Sequence, residues 1–311
     1  MNKINFDYDP EYVELKGKIK SCTTKEISGD NKEKFVEQSV FNEAGKLIQS
    51  SFVNLLGETV KDEFQYDPQG NQTERKLYDS QKNLKYGWNR QYGNKGNLVE
   101  LNKYNKTNAL VEKSNYYYDA KGNMIEEDES VVRSGTLRVV KKRTYEYDGM
   151  NNCVREETTS DHNYDLSMSL TFASALSGRR LDTSAIEDQQ FIKTAKNSNK
   201  YNNKGNIVER IEETFDKGDW IKRETTFEYD DKDRLVSSRM QYQGQPISTT
   251  TYKYDDLGNP IEVRIEYYDS RGSMKSYNYD GSGNWIKQTK QEWKKDTEPK
   301  VTNRVREIEY S

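Results

Sequence analysis

Of the 311 residues only two are cysteine, one is histidine and five are proline. Cys22 and Cys153 stand far apart in no ligand spacing, so a disulfide framework is not indicated and both read as structural thiols. His162 lies in the polar stretch Ser160-Asp161-His162-Asn163, with no nucleophile signature beside it. Ser-His and Cys-His chemistry would have to converge on that one side chain. Metal centres of the zinc type need several His or Cys. No catalytic residue, cofactor-binding residue or metal ligand is therefore assigned. No apolar run approaches the roughly 20 residues of a membrane helix. The opening Met1-Asn2-Lys3-Ile4-Asn5 carries no apolar signal segment, so the chain is either cytosolic or starts after a removed signal. One-sided charge is missing too: 49 basic residues face 52 acidic ones, for a net charge of −3. A nucleic-acid partner, which calls for a basic face, is not expected. Strong helical periodicity is absent.

Conventional core residues are also few. Val, Ile, Leu and Phe number 57 of 311. So small a share marks disorder when net charge is high. Here the charge is low, and 23 tyrosines supply apolar area. An ordered but thin structure follows. Cross-strand Tyr, Thr, Lys and Glu pairs would contribute roughly 0.2–1 kcal/mol each.

What the chain does have is a repeat. Tyr66-Asp67-Pro68-Gln69-Gly70-Asn71 returns as Tyr118-Asp119-Ala120-Lys121-Gly122-Asn123, Tyr254-Asp255-Asp256-Leu257-Gly258-Asn259 and Tyr279-Asp280-Gly281-Ser282-Gly283-Asn284. Looser copies begin at Phe41, Tyr92, Tyr147, Tyr201 and Tyr229, and the period is about 26 residues. A fixed period of this size means a repeat architecture. The signature reads as a turn. Asp67, Asp119, Asp255 and Asp280 can accept a hydrogen bond from the backbone two residues on. Gly70, Gly122, Gly258 and Gly283 fall where a type I turn with a bulge requires a left-handed residue. Asn151 and Asp233 replace that glycine and tolerate positive φ best among other residues. The turn aspartates lack the dense carboxylate spacing of a calcium loop, so capping is their expected role. A second turn lies midway, as in Tyr78-Asp79-Ser80-Gln81-Lys82-Asn83 and Tyr268-Asp269-Ser270-Arg271-Gly272-Ser273. The underlying period is thus one strand and one turn.

Between turns, stretches such as Thr144-Tyr145-Glu146-Tyr147 and Thr251-Tyr252-Lys253-Tyr254 alternate aromatic with polar, a strand pattern. Short connections force antiparallel neighbours. The expected fold is all-β, one antiparallel hairpin meander of about 22 strands. Open sheets beyond about ten strands curl, so it should coil into an elongated ribbon or partial shell. Residues 1–16 read as a leader or cap, and 17–311 as one repeat domain. Around 159–200 the signature weakens, and two degenerate hairpins are expected there. Two unpaired terminal strands would invite edge-to-edge self-association.

The run Tyr116-Tyr117-Tyr118-Asp119-Ala120-Lys121-Gly122-Asn123, matched again from Tyr252 through Asn259, resembles the YD repeat of the Rhs/YD-repeat proteins. The resemblance extends from Phe41 to Trp293, with Asn after the glycine where family members often carry Arg. That variant is similar to envelope-associated proteins of gut bacteria. The resemblance implies a hairpin ribbon wound on itself, which in the large toxins of the family encloses a toxic domain. With hairpins expected as far as Tyr310, a cargo domain and the shell role are not expected here. It further implies an extracytoplasmic, secreted or surface protein, with a loose link to carbohydrate binding.

Candidate ligand contacts are few. Paired aromatics such as Phe64 and Tyr66, Tyr116 and Tyr118, or Tyr145 and Tyr147 share a strand face. They form either a sugar-stacking platform or the packed face of the sheet. Trp88, Trp220, Trp285 and Trp293 are candidate binding residues near turns, where they equally seal sheet edges. Trp220 and Trp285 sit in nearly the same phrase, Gly-Asp-Trp-Ile-Lys and Gly-Asn-Trp-Ile-Lys. Glu126-Glu127-Asp128-Glu129 supplies carboxylates for a glycosidase pair, but adjacency among 52 acidic residues selects nothing. The expected function is a non-enzymatic bacterial surface or secreted scaffold that binds a glycan or another protein.

Overall fold

The computed structural model describes residues 15–28, 32–54, 56–161, 191–216, 218–295 and 297–311. His162, Ser177 to Arg180 and most of the expected leader lie outside them. Among the described residues there are twenty strands and no helix. None is therefore a helix able to cross a membrane, which leaves crossing by strands untouched. All the strands belong to one 20-stranded sheet. The chain forms two compact units, Met1–Gly87 with Thr225–Ser311, and Trp88–Glu224.

The first unit holds β1 (Ile19–Ile27), β2 (Glu33–Phe41), β3 (Leu47–Val53), β4 (Thr59–Tyr66) and β5 (Gln72–Tyr78). β6 (Leu84–Tyr92) runs across its boundary. The second unit holds β7 (Leu98–Asn105), β8 (Leu110–Tyr118), β9 (Met124–Arg133), β10 (Thr136–Tyr147), β11 (Cys153–Asp161), β12 (Phe191–Tyr201) and β13 (Ile207–Asp216). β14 (Asp219–Tyr229) runs across the other boundary. The chain then completes the first unit with β15 (Leu235–Tyr242), β16 (Gln245–Tyr254), β17 (Pro260–Tyr267), β18 (Gly272–Tyr279), β19 (Trp285–Trp293) and β20 (Lys300–Tyr310).

Within each unit consecutive strands pair antiparallel, as β3 with β4 and β8 with β9 do. The antiparallel meander expected from the turn spacing is present. Its outline differs from expectation in two ways. β1 pairs with β20, Cys22 opposite Ile308 and Thr24 opposite Arg306. The first and last strands are therefore joined by a ladder, where an open ribbon or partial shell would leave both as free edges. The two terminal edges expected to drive self-association are consumed by each other, because a ladder satisfied in cis has no free N–H row to offer. The strand count is twenty among the described residues, against about 22 expected. β11 pairs directly with β12, Thr158 opposite Ala195 and Asp161 opposite Phe191, so no strand stands between them. The rest of the expected degenerate hairpins, 162–190, lies outside the described residues.

The turn chemistry explains the regularity. In the first full signature, Gly70 N donates to Asp67 O at 2.9 Å, and Asp67 N donates to Asn71 O at 2.9 Å. Gly70, Gly122, Gly258 and Gly283 have φ between 81° and 89°. Asn151 and Asp233 take the same left-handed position at 62° and 59°. A register shift falls just before the signature aromatic, at Gln65/Tyr66, Tyr117/Tyr118, Lys253/Tyr254 and Asn278/Tyr279. This is the bulge expected of a type I turn followed by a left-handed residue.

One turn is displaced. Between β17 and β18 the bonds run from Ser270 N to Tyr267 O and from Tyr267 N to Arg271 O. Ser270, at φ 68°, holds the left-handed place. The turn lies two residues earlier than the Tyr268-Asp269 string suggests, and Gly272 is a strand residue opposite Trp293.

Candidate functional site

The signature residues form a capping network. The carboxylate of Asp67 accepts from Asn71 N at 2.8 Å and from Asn71 Nδ2 at 2.9 Å. Asp119 with Asn123 and Asp255 with Asn259 repeat the pattern. Asp280 accepts from Ser282 N and Asn284 N, both at 2.9 Å. The side-chain bond from Asn71 is the main reason the Asp67 carboxyl lies below its ordinary range. These aspartates are engaged by their own turns, and the asparagine after the glycine supplies the second half of the cap. Among the described residues no group of three or more His, Cys, Asp or Glu is placed to hold a metal ion.

The signature tyrosine has a job the sequence did not disclose. Tyr66 OH donates to Leu47 O at 2.7 Å, Tyr118 OH to Leu98 O at 2.8 Å and Tyr147 OH to Met124 O at 2.8 Å. Tyr254 OH and Tyr279 OH reach Leu235 O and Pro260 O in the same way. Each acceptor is the first residue of the strand that leaves an earlier signature turn. The hydroxyl thus staples one hairpin to its predecessor.

The tryptophans part company. In the first unit Trp285 is buried at 3% exposure. It packs edge-on to Tyr277 at 6.2 Å, under the Arg306 guanidinium at 3.7 Å, in a core with Tyr252 and Val263. It has no open face for a ligand. Trp293 is half-buried with the Arg264 guanidinium 5.3 Å from its ring. In the second unit Trp88 is half-buried, with Lys103 Nζ 6.0 Å from the ring. Trp220 lies 5.5 Å from Phe215 and 5.1 Å from Lys196 Nζ. Cys22 and Cys153 are buried free thiols, both pushed up chiefly by burial.

One band of the second unit brings aromatic, acidic and basic side chains together. Tyr116 on β8 stands opposite Glu127 on β9, which stands opposite Arg143 on β10. Two residues along β10, Tyr145 stands opposite Glu156 on β11, which faces Asn197 on β12. Residues two apart share a strand face, so all six lie on one side of the sheet. Arg143 Nη1 donates to Glu127 Oε2 at 2.7 Å, Tyr145 OH to the same oxygen at 3.4 Å, and Asn197 Nδ2 to Glu156 Oε2 at 3.2 Å. The Glu127 and Arg143 side chains are 13% and 28% exposed, so the pair is shielded but reachable. Burial, then the Glu127 and Glu156 carboxylates, hold the Tyr145 phenol well above its ordinary range. Burial does the same to Tyr116. Both hydroxyls stay protonated and able to donate. Trp88 joins this side through Lys103, which pairs with Glu112 at 2.8 Å, two residues from Ser114 and four from Tyr116 on β8. Trp220 lies on the other side, next to Lys196, whose partner is Glu213 at 2.9 Å. Sequence reading flagged Tyr116 and Tyr145 by their spacing but missed Arg143, which only the register brings beside Glu127.

No family model matches the chain, and no curated protein matches it. Solved structures do show likenesses at low identity. The chain is similar to part of a TcdB2–TccC3–Cdc42 structure, with 9% identity, a TM-score of 0.39, and coverage of 96% of this chain but 18% of the other. It is similar to a porin-like protein from Bacteroides uniformis ATCC 8492 at 9% identity and a TM-score of 0.34, covering 95% and 99% of the two chains. A porin-like protein from Bacteroides vulgatus ATCC 8482 gives 12% identity, a TM-score of 0.33, and coverage of 94% and 98%.

Proposed function

We propose that the chain is a non-enzymatic binding scaffold, a bacterial surface or secreted repeat protein of YD-repeat kinship, and that its ligand is a glycan. The carrying observation is the Tyr116–Glu127–Arg143–Tyr145 band. Two aromatic rings offer C–H stacking faces, and a guanidinium and a carboxylate on the same side of the sheet supply donors and acceptors. Apolar faces with a few placed polar groups are what a polyhydroxylated ligand requires. Kinship with YD-repeat proteins rests on the recurring Tyr-Asp-x-x-Gly-Asn turn and its uniform geometry, and an extracytoplasmic setting goes with that kinship.

A glycosidase reading has less support. Of the carboxylates in the Glu126-Glu127-Asp128-Glu129 run, Glu127 lies 2.7 Å from Arg143, Asp128 3.4 Å from Lys142, Glu129 3.7 Å from Lys141 and Glu126 3.9 Å from Lys142. A glycosidase needs two carboxylates free to serve the scissile bond, whereas each of these four has a cation of β10 beside it. A glycan array followed by calorimetry on the best hit tests the proposal. Wild type should bind, the Tyr116→Ala/Tyr145→Ala double variant should not, and Trp220→Ala, on the opposite side of the sheet, should bind unchanged. Absence of any glycan ligand, or equal affinity in the double variant, overturns the assignment. Release of new reducing ends from the bound glycan overturns its non-enzymatic part.

A further inference from the structure

The last signature turn departs from its siblings, and the siblings serve as internal controls. In the turns closed by Asn71, Asn83, Asn123, Asn152 and Asn259, the asparagine Nδ2 donates to the second carboxylate oxygen of its own turn aspartate, at 2.9 to 3.2 Å. Asn284 keeps the backbone half of the motif, its N–H donating to Asp280 Oδ1 at 2.9 Å. Its amide has been redirected. Nδ2 donates to Lys16 O at 2.8 Å and to Tyr310 OH at 2.9 Å, and Oδ1 accepts from Lys16 N at 2.7 Å. The Asp280 oxygen so released accepts instead from Tyr310 OH.

One primary amide thus takes both the N–H and the C=O of a single residue, the pair of bonds that a neighbouring strand makes with an extended backbone. The lysine side chain adds a second point of attachment. Lys16 Nζ donates to Asn259 Oδ1 at 3.2 Å, in the preceding signature turn. To get there it crosses Gly283, where a Cβ would stand 3.0 Å from Lys16 Nζ. At Gly45, Gly96 and Gly258, by contrast, a Cβ would meet nothing within 4 Å. The next residue, Gly17, is left-handed at φ 93°, and a Cβ there would stand 3.3 Å from the Tyr310 ring. Ser311 N donates to Lys18 O at 2.9 Å. Asn284 and Asn259 are 4% and 5% exposed. These contacts sit at the end of the β1–β20 ladder, where Ile19 stands opposite Tyr310.

We infer that the Asp280–Asn284 turn, with Asn259 and Tyr310, is a peptide-binding clasp. Its ligand class is an extended backbone bearing a lysine followed by glycine, and its occupant is the chain's own Lys16-Gly17. It fixes the register of β1 on β20 and holds the sheet shut. In the other signature turns with an Asp–Asn pair the asparagine amide returns to its own aspartate; here it is spent on the segment before β1 and on Tyr310 of β20.

Hydrogen exchange read by mass spectrometry on the full chain tests this, with Asn284→Ala against the control Asn123→Ala. Asn284→Ala should speed exchange in Ile19–Ile27 and Lys300–Tyr310 by about tenfold or more, the loss of a few hydrogen bonds. β8 and β9 should keep wild-type rates. Asn123→Ala should loosen β8 and β9 and leave β1 and β20 alone. If Asn284→Ala does not fold, Tyr310→Phe removes one hydroxyl and should give the same pattern more weakly. Wild-type exchange of β1 and β20 in both clasp variants overturns the inference. Equal loosening of β1 and β20 by Asn123→Ala also overturns it.

Discussion

The indole of Trp293 lies across Gly272, its cross-strand partner, so closely that a Cβ at Gly272 would stand 2.3 Å from the ring and 2.8 Å from Ile265 O. The glycine is a seat for the indole, which the Arg264 guanidinium flanks 5.3 Å from the ring. Gly272→Ala should therefore destabilise the protein by about 1–3 kcal/mol through overpacking. In a Trp293→Ala background the same change should cost less, the Ile265 O contact remaining. Urea unfolding of the four proteins in the cycle gives the coupling, and strict additivity would rule out the seat.

Gly122 tests the backbone instead. It has φ 89°, and the nearest atom to an added Cβ would be Asn97 Nδ2 at 3.9 Å. Crowding is absent, so only the left-handed conformation resists a side chain. Gly122→Val should lower stability by roughly 1–2 kcal/mol. An unchanged melting temperature would contradict the turn geometry.

Tyr147 couples stability to alkaline pH. Its hydroxyl donates to Met124 O at 2.8 Å. Burial, followed by the neighbouring Cys153, pushes its pKa up to about 12. An unfolded tyrosine titrates near 10. The proton is held more tightly in the folded state, so this stabilisation is complete below pH ~10 and is lost as pH rises from there through about 12. Tyr147→Phe should cost about 0.5–1.5 kcal/mol near neutrality and flatten the alkaline limb of a stability profile. An identical limb in the variant would show that other groups set it.

The turn aspartates act at the other end of the scale. Side-chain and backbone bonds from Asn152 hold the Asp148 carboxyl below its ordinary range. A depressed folded pKa gives stability that is complete above the unfolded value, near pH ~3.9, and lost as pH falls through the folded one. Asp148→Asn should weaken the acid dependence of unfolding below about pH 4 and leave it unchanged near neutrality. Equal acid sensitivity in wild type and variant would remove Asp148 from the account.

Local chemistry was legible in the sequence and distant pairing was not. The signature turns could be placed because Asp, Asn and Gly write their conformation within five residues. The same reading misplaced the β17–β18 turn, where Tyr268-Asp269-Ser270-Arg271-Gly272 imitates the signature; Gly272 pairs instead with Trp293, on a strand the local string does not show. Trp220 and Trp285 look alike in sequence. Arg306, arriving from β20, buries Trp285, while Trp220 packs beside Phe215 and Lys196. The Glu127–Arg143 pair depends on a register that shifts between Val139 and Lys141, and no local pattern announces that shift. Closure of the sheet had no local signal at all, since it joins residues from opposite ends of the chain.

That joining sets an order of events during folding. Hairpins such as β8–β9 bring together residues close in sequence, as Tyr118 and Met124 are, whereas the Lys20–Glu309 bond spans 289 positions. Loop-closure entropy delays contacts of the second kind until others have shortened the effective path. The nascent meander accumulates strand by strand from local pairings, β1 with β2 among them, and the other edge of β1 waits until β20 arrives last.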